Sequence, residues 1–512
     1  MDARKRPRRS RLRRVLLLLG GSVLVVALLV LGVLGWLYSQ ADTSTVGELG
    51  FERELKVPPL LEPRTDGDGR KVFDLELQAG TSELLPGKTS ETWGANGPYL
   101  APTLRASRGD EVLVHVRNEL PETTTTIHWH GMHLPAAADG GPHQMIEPET
   151  TWSPTWTIDQ PAATLWYHPH LHPETEEHVY RGITGMFLLD EPAADALPIP
   201  KQYGVDDIPV IIQDKSFEES GSLDLSQSVI SPTGILGSDI LINGTYDPHV
   251  EVADSLVRFR LLNASNARIY NLGFDDDRAF DLIATEGGLL EAPEHMTRIQ
   301  LSPGERAEIV AEFEPGEEVV LRSFEPELGT SFWDGRFSGA DDSFDLVQVR
   351  AGDALDSSPE LPDRLADHEP LDTTDVAETR RFELQGNSQI NGMTMDLSRI
   401  DEVVERDTTE IWEVRNSSGS PHNFHIHGVH FRVLEYAGDA PPPGLMGMKD
   451  TVYVPPNETV RVLTEFGTYT DPELPYMFHC HVLQHEDRGM MGQSVVVEPG
   501  QQSPPVLPDH DH

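Results

Sequence analysis

The stretch from His479 to Met490 constrains this chain more than any other, because it holds the only cysteine among 512 residues. Cys480 stands between His479 and His481, and His485 and Met490 follow it. A thiolate, imidazoles and a weak axial thioether are the ligands that suit a copper electron-transfer site. Alternate side chains of a strand share a face, so the two flanking histidines would lie opposite the cysteine. One tripeptide would then contact two different metal sites, which predicts a protein that transfers electrons.

Three further histidine clusters share one spacing, with two histidines placed two residues apart. They are His128-Trp129-His130, His168-Pro169-His170 and His422-Asn423-Phe424-His425-Ile426-His427. On an extended strand such a pair is separated by roughly 6.6 Å along one face, since each residue rises about 3.3 Å. That span suits neighbouring metals better than two ligands of one tetrahedral ion. A single pair is equally well interpreted as surface or core histidines, whereas four clusters and a lone cysteine favour a site with several metals.

These four segments resemble the ligand motifs of three-domain multicopper oxidases, of the laccase-like and bacterial cuprous-oxidase-like kind. The matching motifs are His-Trp-His-Gly (128–131), Trp-Tyr-His-Pro-His (166–170), His-x-x-His-x-His (422–427) and His-Cys-His-x-x-x-His-x-x-x-x-Met (479–490). The similarity extends from about residue 50 to residue 498. It implies four copper ions, of which one is type 1, one is type 2 and two are type 3, and no further cofactor.

The resemblance assigns a role to each matching residue. The type 1 ligands would be His422, Cys480 and His485 with Met490 in the axial position, the type 2 ligands His128 and His425, and the type 3 ligands His130, His168, His170, His427, His479 and His481. The implied activity is one-electron oxidation of phenolic or other aromatic substrates, or of low-valent metal ions, coupled to four-electron reduction of O₂ to water.

Two carboxylates are candidate catalytic residues, because reduction of O₂ consumes protons that acidic side chains can deliver. Asp139 precedes two glycines, Glu486 directly follows His485, and both match acidic positions of the family. In the alternative interpretation Asp139 caps a turn and Glu486 only orients a histidine. A third acid, Asp450 in Lys-Asp-Thr-Val, matches a family position near the type 1 copper.

An internal repeat and abundant turn residues (43 Gly, 40 Pro) favour an all-β chain. The strand-like segments Asp110–Asn118, Ser255–Asn263 and Thr408–Asn416 end in asparagines that are 145 and 153 residues apart. Domain-sized copies of a β-sandwich explain such a repeat. Only the first and third copies are followed by ligand histidines, so these two must supply the metal site together, while the second acts as spacer and wall.

With the resemblance, this predicts three consecutive cupredoxin-like Greek-key β-sandwich domains. We expect domain 1 at 51–195, domain 2 without copper ligands at 196–365, and domain 3 with the type 1 copper at 366–498. The polar tail 499–512 is expected to be disordered.

The N-terminus has the pattern of a membrane anchor. Residues 1–14 are strongly basic, residues 15–38 form an apolar run without charge, and residues 39–50 form a linker. The run is long enough to span a bilayer, whereas the apolar region of a signal peptide is usually shorter. Basic residues stay in the cytoplasm, so the catalytic part is expected outside it. Secretion after signal cleavage is the alternative.

A net charge of −45 argues against nucleic acid as a partner. The expected partners are O₂, the membrane and a small electron donor, either a phenol or a metal ion. A monomer is expected because three domains already close the site. Two alternatives stay open, namely a dedicated cuprous or other metal oxidase in copper tolerance and a copper-free cupredoxin scaffold. The methionine-rich insert of copper-efflux members is absent from the sequence, and the intact ligand set argues against the scaffold.

Overall fold

The computed structural model describes residues 9–39, 41, 43–226, 231–369, 372–467 and 469–504. The predicted basic segment 1–14 and tail 499–512 therefore lie partly outside the described residues. Helix α1 (Arg9–Ser39) begins this part of the chain and is longer at both ends than the predicted run 15–38. Its stretch Val15–Ser39 has the length and composition needed to cross a membrane. Such a helix is typical of a membrane anchor or of a signal sequence.

Strands dominate the rest of the described chain and fall into three successive groups. The first group comprises β1 (Arg53–Glu54), β2 (Arg64–Thr65), β3 (Lys71–Leu85), β4 (Lys88–Ala95), β5 (Leu104–Ser107), β6 (Glu111–Glu119), β7 (His128–His130), β8 (Thr151–Trp152), β9 (Thr155–Thr157), β10 (Ala163–His168) and β11 (Gly185–Asp190). The second comprises β12 (Asp207–Lys215), β13 (Asp239–Ile242), β14 (Thr245–Tyr246), β15 (Pro248–Asp254), β16 (Leu256–Asn263), β17 (Tyr270–Phe274), β18 (Phe280–Thr285), β19 (Gly288–Met296), β20 (Ile299–Leu301), β21 (Arg306–Glu312), β22 (Glu318–Phe324) and β23 (Phe344–Asp356).

The third group comprises β24 (Glu378–Gln385), β25 (Gln389–Ile390), β26 (Glu402–Glu405), β27 (Thr408–Asn416), β28 (His422–Ile426), β29 (Phe431–Tyr436), β30 (Thr451–Val454), β31 (Thr459–Phe466), β32 (Tyr476–His479) and β33 (Met491–Val497). Short helices connect the strands, namely α2 (Thr175–Arg181), α3 (Pro192–Asp195), α4 (Phe332–Arg336) and α5 (Leu483–Asp487), with 3₁₀ turns at Ala136–Ala138 and Pro443–Leu445.

Each group builds two sheets that enclose one hydrophobic core. The sheet orders in the first group are β2-β3-β6-β8, with β4 on β3 and β9 on β6, and β5-β11-β10-β7. In the second group they are β14-β13-β12-β16-β21-β18-β19 and β1-β15-β23-β22-β17-β20, so that β1 crosses over to pair with β15. In the third they are β25-β24-β27-β31-β29 and β26-β33-β32-β28-β30. Side chains from both sheets meet in each core, and the predicted all-β architecture is confirmed.

The repeated asparagines close the same turn in all three groups. Asn118, Asn263 and Asn416 are fully buried at the ends of β6, β16 and β27. The Nδ2 group of each donates to two main-chain carbonyls, and its Oδ1 accepts from the backbone N–H two residues later. A buried amide that satisfies three backbone groups fixes how the chain leaves the strand. In the first and third groups, the chain segment that follows this turn carries the candidate ligand histidines.

Candidate metal centre

The first group supplies four histidines from one edge of its second sheet. The edge strand β7 carries His128 and His130 and pairs with β10 in antiparallel register, with His168 opposite His128. His170 follows β10 after Pro169. The spacing of two residues keeps each pair on one face of the extended chain. The residue between the first pair, Trp129, turns the other way and packs in the hydrophobic core.

The third group supplies four more histidines from two neighbouring strands. β28 pairs with β32 so that His425 lies opposite His479, and His427 and His481 continue beyond the ends of the two strands. These positions are directed toward the first group rather than toward solvent, since all four side chains are buried.

The eight histidines meet in one buried pocket between the two groups. His479 Nε2 lies 3.1 Å from His170 Nε2 and 3.2 Å from His427 Nε2. Imidazole rings also stack across the junction, with centroids 3.8 Å apart for His128 and His427 and 3.7 Å apart for His130 and His425. The structure therefore brings together segments that are more than 300 residues apart in the chain.

Within this pocket the nitrogens fall into sets of three that face a common point. The ligand atoms of each set lie within 4.8 Å of one another, and the sets are His130, His168 and His481; His170, His427 and His479; and His128, His130 and His425. The first two sets coincide with the two halves of the predicted type 3 ligand group. The third contains the predicted type 2 pair.

A second site lies on the other side of Cys480. The Sγ atom of Cys480 is 3.5 Å from His422 Nδ1 and 3.7 Å from His485 Nδ1, and all three side chains are buried. His422 Nε2 donates to the carbonyl of Gly386 and His485 Nε2 donates to that of Pro232, which turns both Nδ1 atoms toward the sulfur.

Met490, the fourth predicted ligand of this site, lies next to Cys480. Met490 is fully buried and its carbonyl accepts from the backbone N–H of Cys480. Burial raises the pKa of the Cys480 thiol to about 12, so a bound metal must displace the proton of this group.

Both predicted catalytic carboxylates contact the outer nitrogens of the cluster. Asp139 Oδ2 accepts from His427 Nδ1 at 2.8 Å, and its carbonyl accepts from His128 Nδ1 at 2.9 Å. The Glu486 oxygens lie 3.4 Å from His170 Nδ1 and 3.2 Å from His479 Nδ1. The Nε2 atoms of these rings are thereby directed inward, which is how carboxylates around a metal site orient its imidazole ligands.

The charge state of Glu486 follows from two opposed effects. Burial by itself would raise the pKa of this carboxyl group. Attraction to the imidazoles of His170 and His479 outweighs burial and holds the pKa below its usual range. Glu486 is therefore ionised at neutral pH, with one carboxylate oxygen near each ring.

Asp450 lies beside the histidine cluster, and its expected position near the type 1 site is wrong. Its Oδ1 atom is 3.0 Å from His130 Nε2, and its carbonyl accepts from His425 Nδ1. Arg306 of the second group donates to both carboxylate oxygens at 2.7 Å. Burial would raise the pKa of Asp450, but the guanidinium of Arg306 outweighs it and holds the pKa well below the usual value.

The second group is therefore more than a spacer, although sequence reasoning found no functional residue in it. Arg306 reaches His130 through Asp450, and Lys449 pairs with Glu286 and Glu305 next to them. Gly304 lies so close to the cluster that a Cβ atom would come within 3.1 Å of the His481 ring, and its φ of +86° also favours glycine. The only sequence signal for the contact between the second group and the cluster was the Lys-Asp pair at 449–450.

The donor set fits copper. Burial, followed by the neighbouring imidazoles, lowers the pKa of His168 and His427 well below the usual value, so both rings are neutral and each has one nitrogen with a free lone pair. Among the described residues, buried nitrogens of His128, His425 and His481 have no hydrogen-bond partner. Buried polar atoms are rarely left unpaired, so several such atoms facing one point indicate a metal. Imidazole and thiolate together suit copper.

Comparison with known proteins agrees with this chemistry. Two sequence profiles described as multicopper oxidase match residues 76–194 and 362–500. A multicopper oxidase, mco, of Staphylococcus aureus is 35% identical over 87% of this chain and 93% of that protein. The chain belongs to the multicopper oxidase family. The predicted membership, oxidoreductase activity and use of copper are thereby confirmed.

Two further relatives show the breadth of this similarity. A crystal structure of a laccase from Pediococcus acidilactici superposes with a TM-score of 0.79 at 34% identity, covering 88% of this multicopper oxidase and 94% of the laccase. The predicted cupredoxin-like fold is thereby confirmed. A protein of Salmonella typhimurium named cell division protein FtsP is 37% identical over 87% of this chain and 93% of its own length.

The Arg306–Asp450 pair can be tested with the variant Asp450→Asn. Loss of the carboxylate charge weakens the hold on His130 and leaves Arg306 buried without a full partner, which we expect to cost about 3 kcal/mol of unfolding free energy. The copper affinity of the histidine cluster should fall about 10–100-fold, while the blue thiolate absorption persists. Copper per chain after dialysis against a chelator, with the visible spectrum, measures both.

Asp207→Asn is the matched control, because Asp207 forms a buried bidentate pair with Arg260 and bonds none of the cluster histidines. It should lose stability but keep its copper. Equal copper loss in the two variants would mean that Asp450 acts only through general stability.

Proposed function

We propose that this multicopper oxidase holds four copper ions at two sites joined by Cys480 and its neighbours. His422, Cys480, His485 and Met490 would hold the type 1 copper. The other ligands are the eight clustered histidines, with His128 and His425 for type 2 and the remaining six for type 3. Bound copper supplies the one-electron acceptor and the multi-electron store that reduction of O₂ to water requires.

The single observation that carries this proposal is the position of one tripeptide. The Sγ atom of Cys480 faces His422 and His485, while His479 lies within hydrogen-bonding distance of cluster histidines. His481 lies in the same cluster. The backbone of Cys480 therefore joins the sulfur site covalently to both halves of the cluster, and this is the path we propose for electrons. A chain without copper would gain nothing from burying ten histidines at these positions.

Asp139 and Glu486 have two proposed tasks. Each orients the Nδ1–H group of cluster imidazoles, which the short distances support. Each also holds or passes a proton at its carboxylate oxygens while O₂ is reduced, because both are buried against the cluster and carboxylates commonly serve this purpose.

A copper-free scaffold is the alternative from a different class, and similarity to a cell division protein keeps it relevant. Overall identity does not separate the two, since the oxidase and the cell division protein match this chain about equally. The ligand set supports the oxidase, because every predicted ligand is present and buried.

The ligand assignment predicts about four coppers per chain in the purified protein and an intense blue absorption. Cys480→Ser should remove the absorption and all turnover, because a hydroxyl is a poor copper ligand, and should leave the eight-histidine cluster able to bind metal. Copper analysis, visible spectra and oxygen consumption check this. A variant that stays blue contradicts the type 1 assignment, and wild-type protein that binds no copper supports the scaffold.

The proton role predicts that Glu486→Gln retains its coppers but reduces O₂ at least tenfold more slowly, since a positioned acid contributes roughly 10²-fold or more. The reoxidation rate of the fully reduced enzyme measures this step separately from substrate oxidation. Asp487→Asn is the matched control, because the Asp487 side chain accepts from the backbone N–H groups of Thr175 and Glu176, which are not cluster residues. Unchanged reoxidation in Glu486→Gln would remove the proton role, and loss of copper would leave only the orienting role.

The donor substrate that we propose is a phenol or another electron-rich aromatic. Oxidation of Cu(I) is the second candidate, and one observation favours it. The backbone N–H of Met395 donates to Gly489 O, directly before Met490, and Met393 nearby is 43% exposed. Thioethers are soft ligands that bind Cu(I). The loop with these methionines would then receive the metal ion beside the type 1 site.

Steady-state rates separate the two substrates. If Cu(I) is the substrate, the double substitution Met393→Leu with Met395→Leu should lower kcat/KM for Cu(I) about tenfold, as expected for loss of roughly 1.4 kcal/mol of transition-state binding. The rate with a phenol should stay the same. Met446→Leu is the control, since Met446 is exposed in another loop. Unchanged Cu(I) kinetics in the double variant would leave the aromatic substrate.

We also propose the overall organisation. Three domains at 51–195, 196–365 and 366–498 are supported by the three pairs of sheets, except that β1 at the start of the first domain pairs with the second. Helix α1 anchors the protein in the membrane with the catalytic part outside the cytoplasm, as the basic residues before the apolar run indicate. Both halves of the cluster come from one chain, so a monomer suffices.

A further inference from the structure

A pair of exposed aromatic side chains lies on the second strand group, far along the chain from the metal ligands. Phe332 and Trp333 begin the short helix α4, and they are 77% and 38% exposed. Among the described residues after α1, Phe332 is the most exposed of the large hydrophobic side chains. Neither residue contributes to the hydrophobic core, and the copper chemistry does not use them. Their exposure therefore requires another explanation.

These side chains contact the end of helix α1. The ring of Tyr38 stacks on Phe332 with centroids 4.8 Å apart and lies 5.9 Å from the ring of Trp333. Arg336 at the end of α4 donates from Nε to the carbonyl of Tyr38, and its guanidinium lies 4.7 Å from the Tyr38 ring. We call Phe332, Trp333 and Tyr38 together the aromatic patch. The patch joins the apolar helix to the second group directly.

The segment after α1 holds this junction in place. The backbone of Thr43 and Thr45 exchanges hydrogen bonds with Ser343, and the N–H of Thr43 donates to Asp342. The N–H of Gly47 donates to Asp345. Thr43 follows Ser39 by only four residues, a reach of at most about 14 Å. The predicted linker 39–50 is thus attached to the second group along much of its length, so the body of the protein cannot move far from α1.

The length of α1 gives the depth of the patch in a membrane. The stretch Val15–Ser39 contains 25 residues, which at 1.5 Å per residue is about 37 Å. The hydrocarbon core of a bilayer is about 30 Å thick. With its first residues at the inner boundary of the hydrocarbon core, a helix of this length would carry Trp36 and Tyr38 into the outer interfacial layer. Tryptophan and tyrosine are enriched in that layer, because their rings are both apolar and polar.

We infer that the aromatic patch inserts into the interfacial layer of the outer leaflet and seats the catalytic body directly on the membrane. The inference rests on the proposed membrane anchor. Phe332 and Trp333 lie at the same depth as Tyr38 because they contact its ring. The occupant of the patch is the bilayer that α1 spans. Apolar and aromatic contact drives the insertion, since a chain with net charge −45 is repelled by anionic lipid headgroups.

Full-length, copper-loaded protein in phosphatidylcholine vesicles tests this inference. The variant Phe332→Cys is labelled with a polarity-sensitive nitrobenzoxadiazole dye, and lipids with a nitroxide at the headgroup or at a shallow acyl position serve as quenchers. Val403→Cys is the matched control, because Val403 is an exposed apolar residue on β26 of the third group. Unsubstituted protein treated with the dye measures any labelling of Cys480, and the blue absorption shows that each variant is folded.

We expect a blue-shifted dye emission at position 332 that shallow quenchers diminish, and water-like, unquenched emission at position 403. Water-like emission at position 332 in protein that floats with the vesicles would overturn the seating and leave the anchor intact. Protein that does not float with the vesicles would refute the anchor, and the seating with it. Equal quenching at both positions would indicate unspecific adsorption of the whole body and would also overturn the inference.

Discussion

The structure depends on the alternation of side chains around Cys480. An extended backbone directs Sγ to one side and the two neighbouring imidazoles to the other, so a single tripeptide borders both candidate metal sites. The link between the two sites is covalent, because it consists of the main chain that joins Cys480 to its two neighbours. The rest of the fold supplies what the tripeptide lacks, namely His422 and His485 on the sulfur side and six more histidines on the other.

Orientation of the imidazoles is the second requirement, and main-chain carbonyls and carboxylates provide it. Carboxylate oxygens of Asp139, Glu486 and Asp450 lie near one nitrogen of the imidazoles of His427, His479 and His130. The other nitrogen of each ring is left free to bind metal. These acids come from the first and third groups, and Arg306 of the second group holds Asp450. Burying an arginine beside a cluster of neutral imidazoles is costly unless a carboxylate pairs with it. Arg306 and Asp450 are therefore best regarded as one unit.

The candidate metal ligands could be identified from the sequence, because metal ligands need particular side chains at particular spacings. The repeat of Asn118, Asn263 and Asn416 could likewise be found, since the same buried turn demands the same amide in each copy. The role of Asp450 was misjudged and that of Arg306 was missed. An arginine on a strand has no spacing that distinguishes a buried partner of a ligand from a solvated surface charge, and its partner lies 144 residues away.

The sequence by itself determined the candidate donor atoms, the β-rich repeat, and an apolar segment long enough to cross a membrane. These follow from residue type and local periodicity, which the chain carries whatever its tertiary fold. Only the tertiary structure decided how the first and third groups meet, that the second group braces the cluster, and that Tyr38 rests on Phe332. Such contacts depend on how separate sheets pack, and no local pattern in the chain encodes that packing.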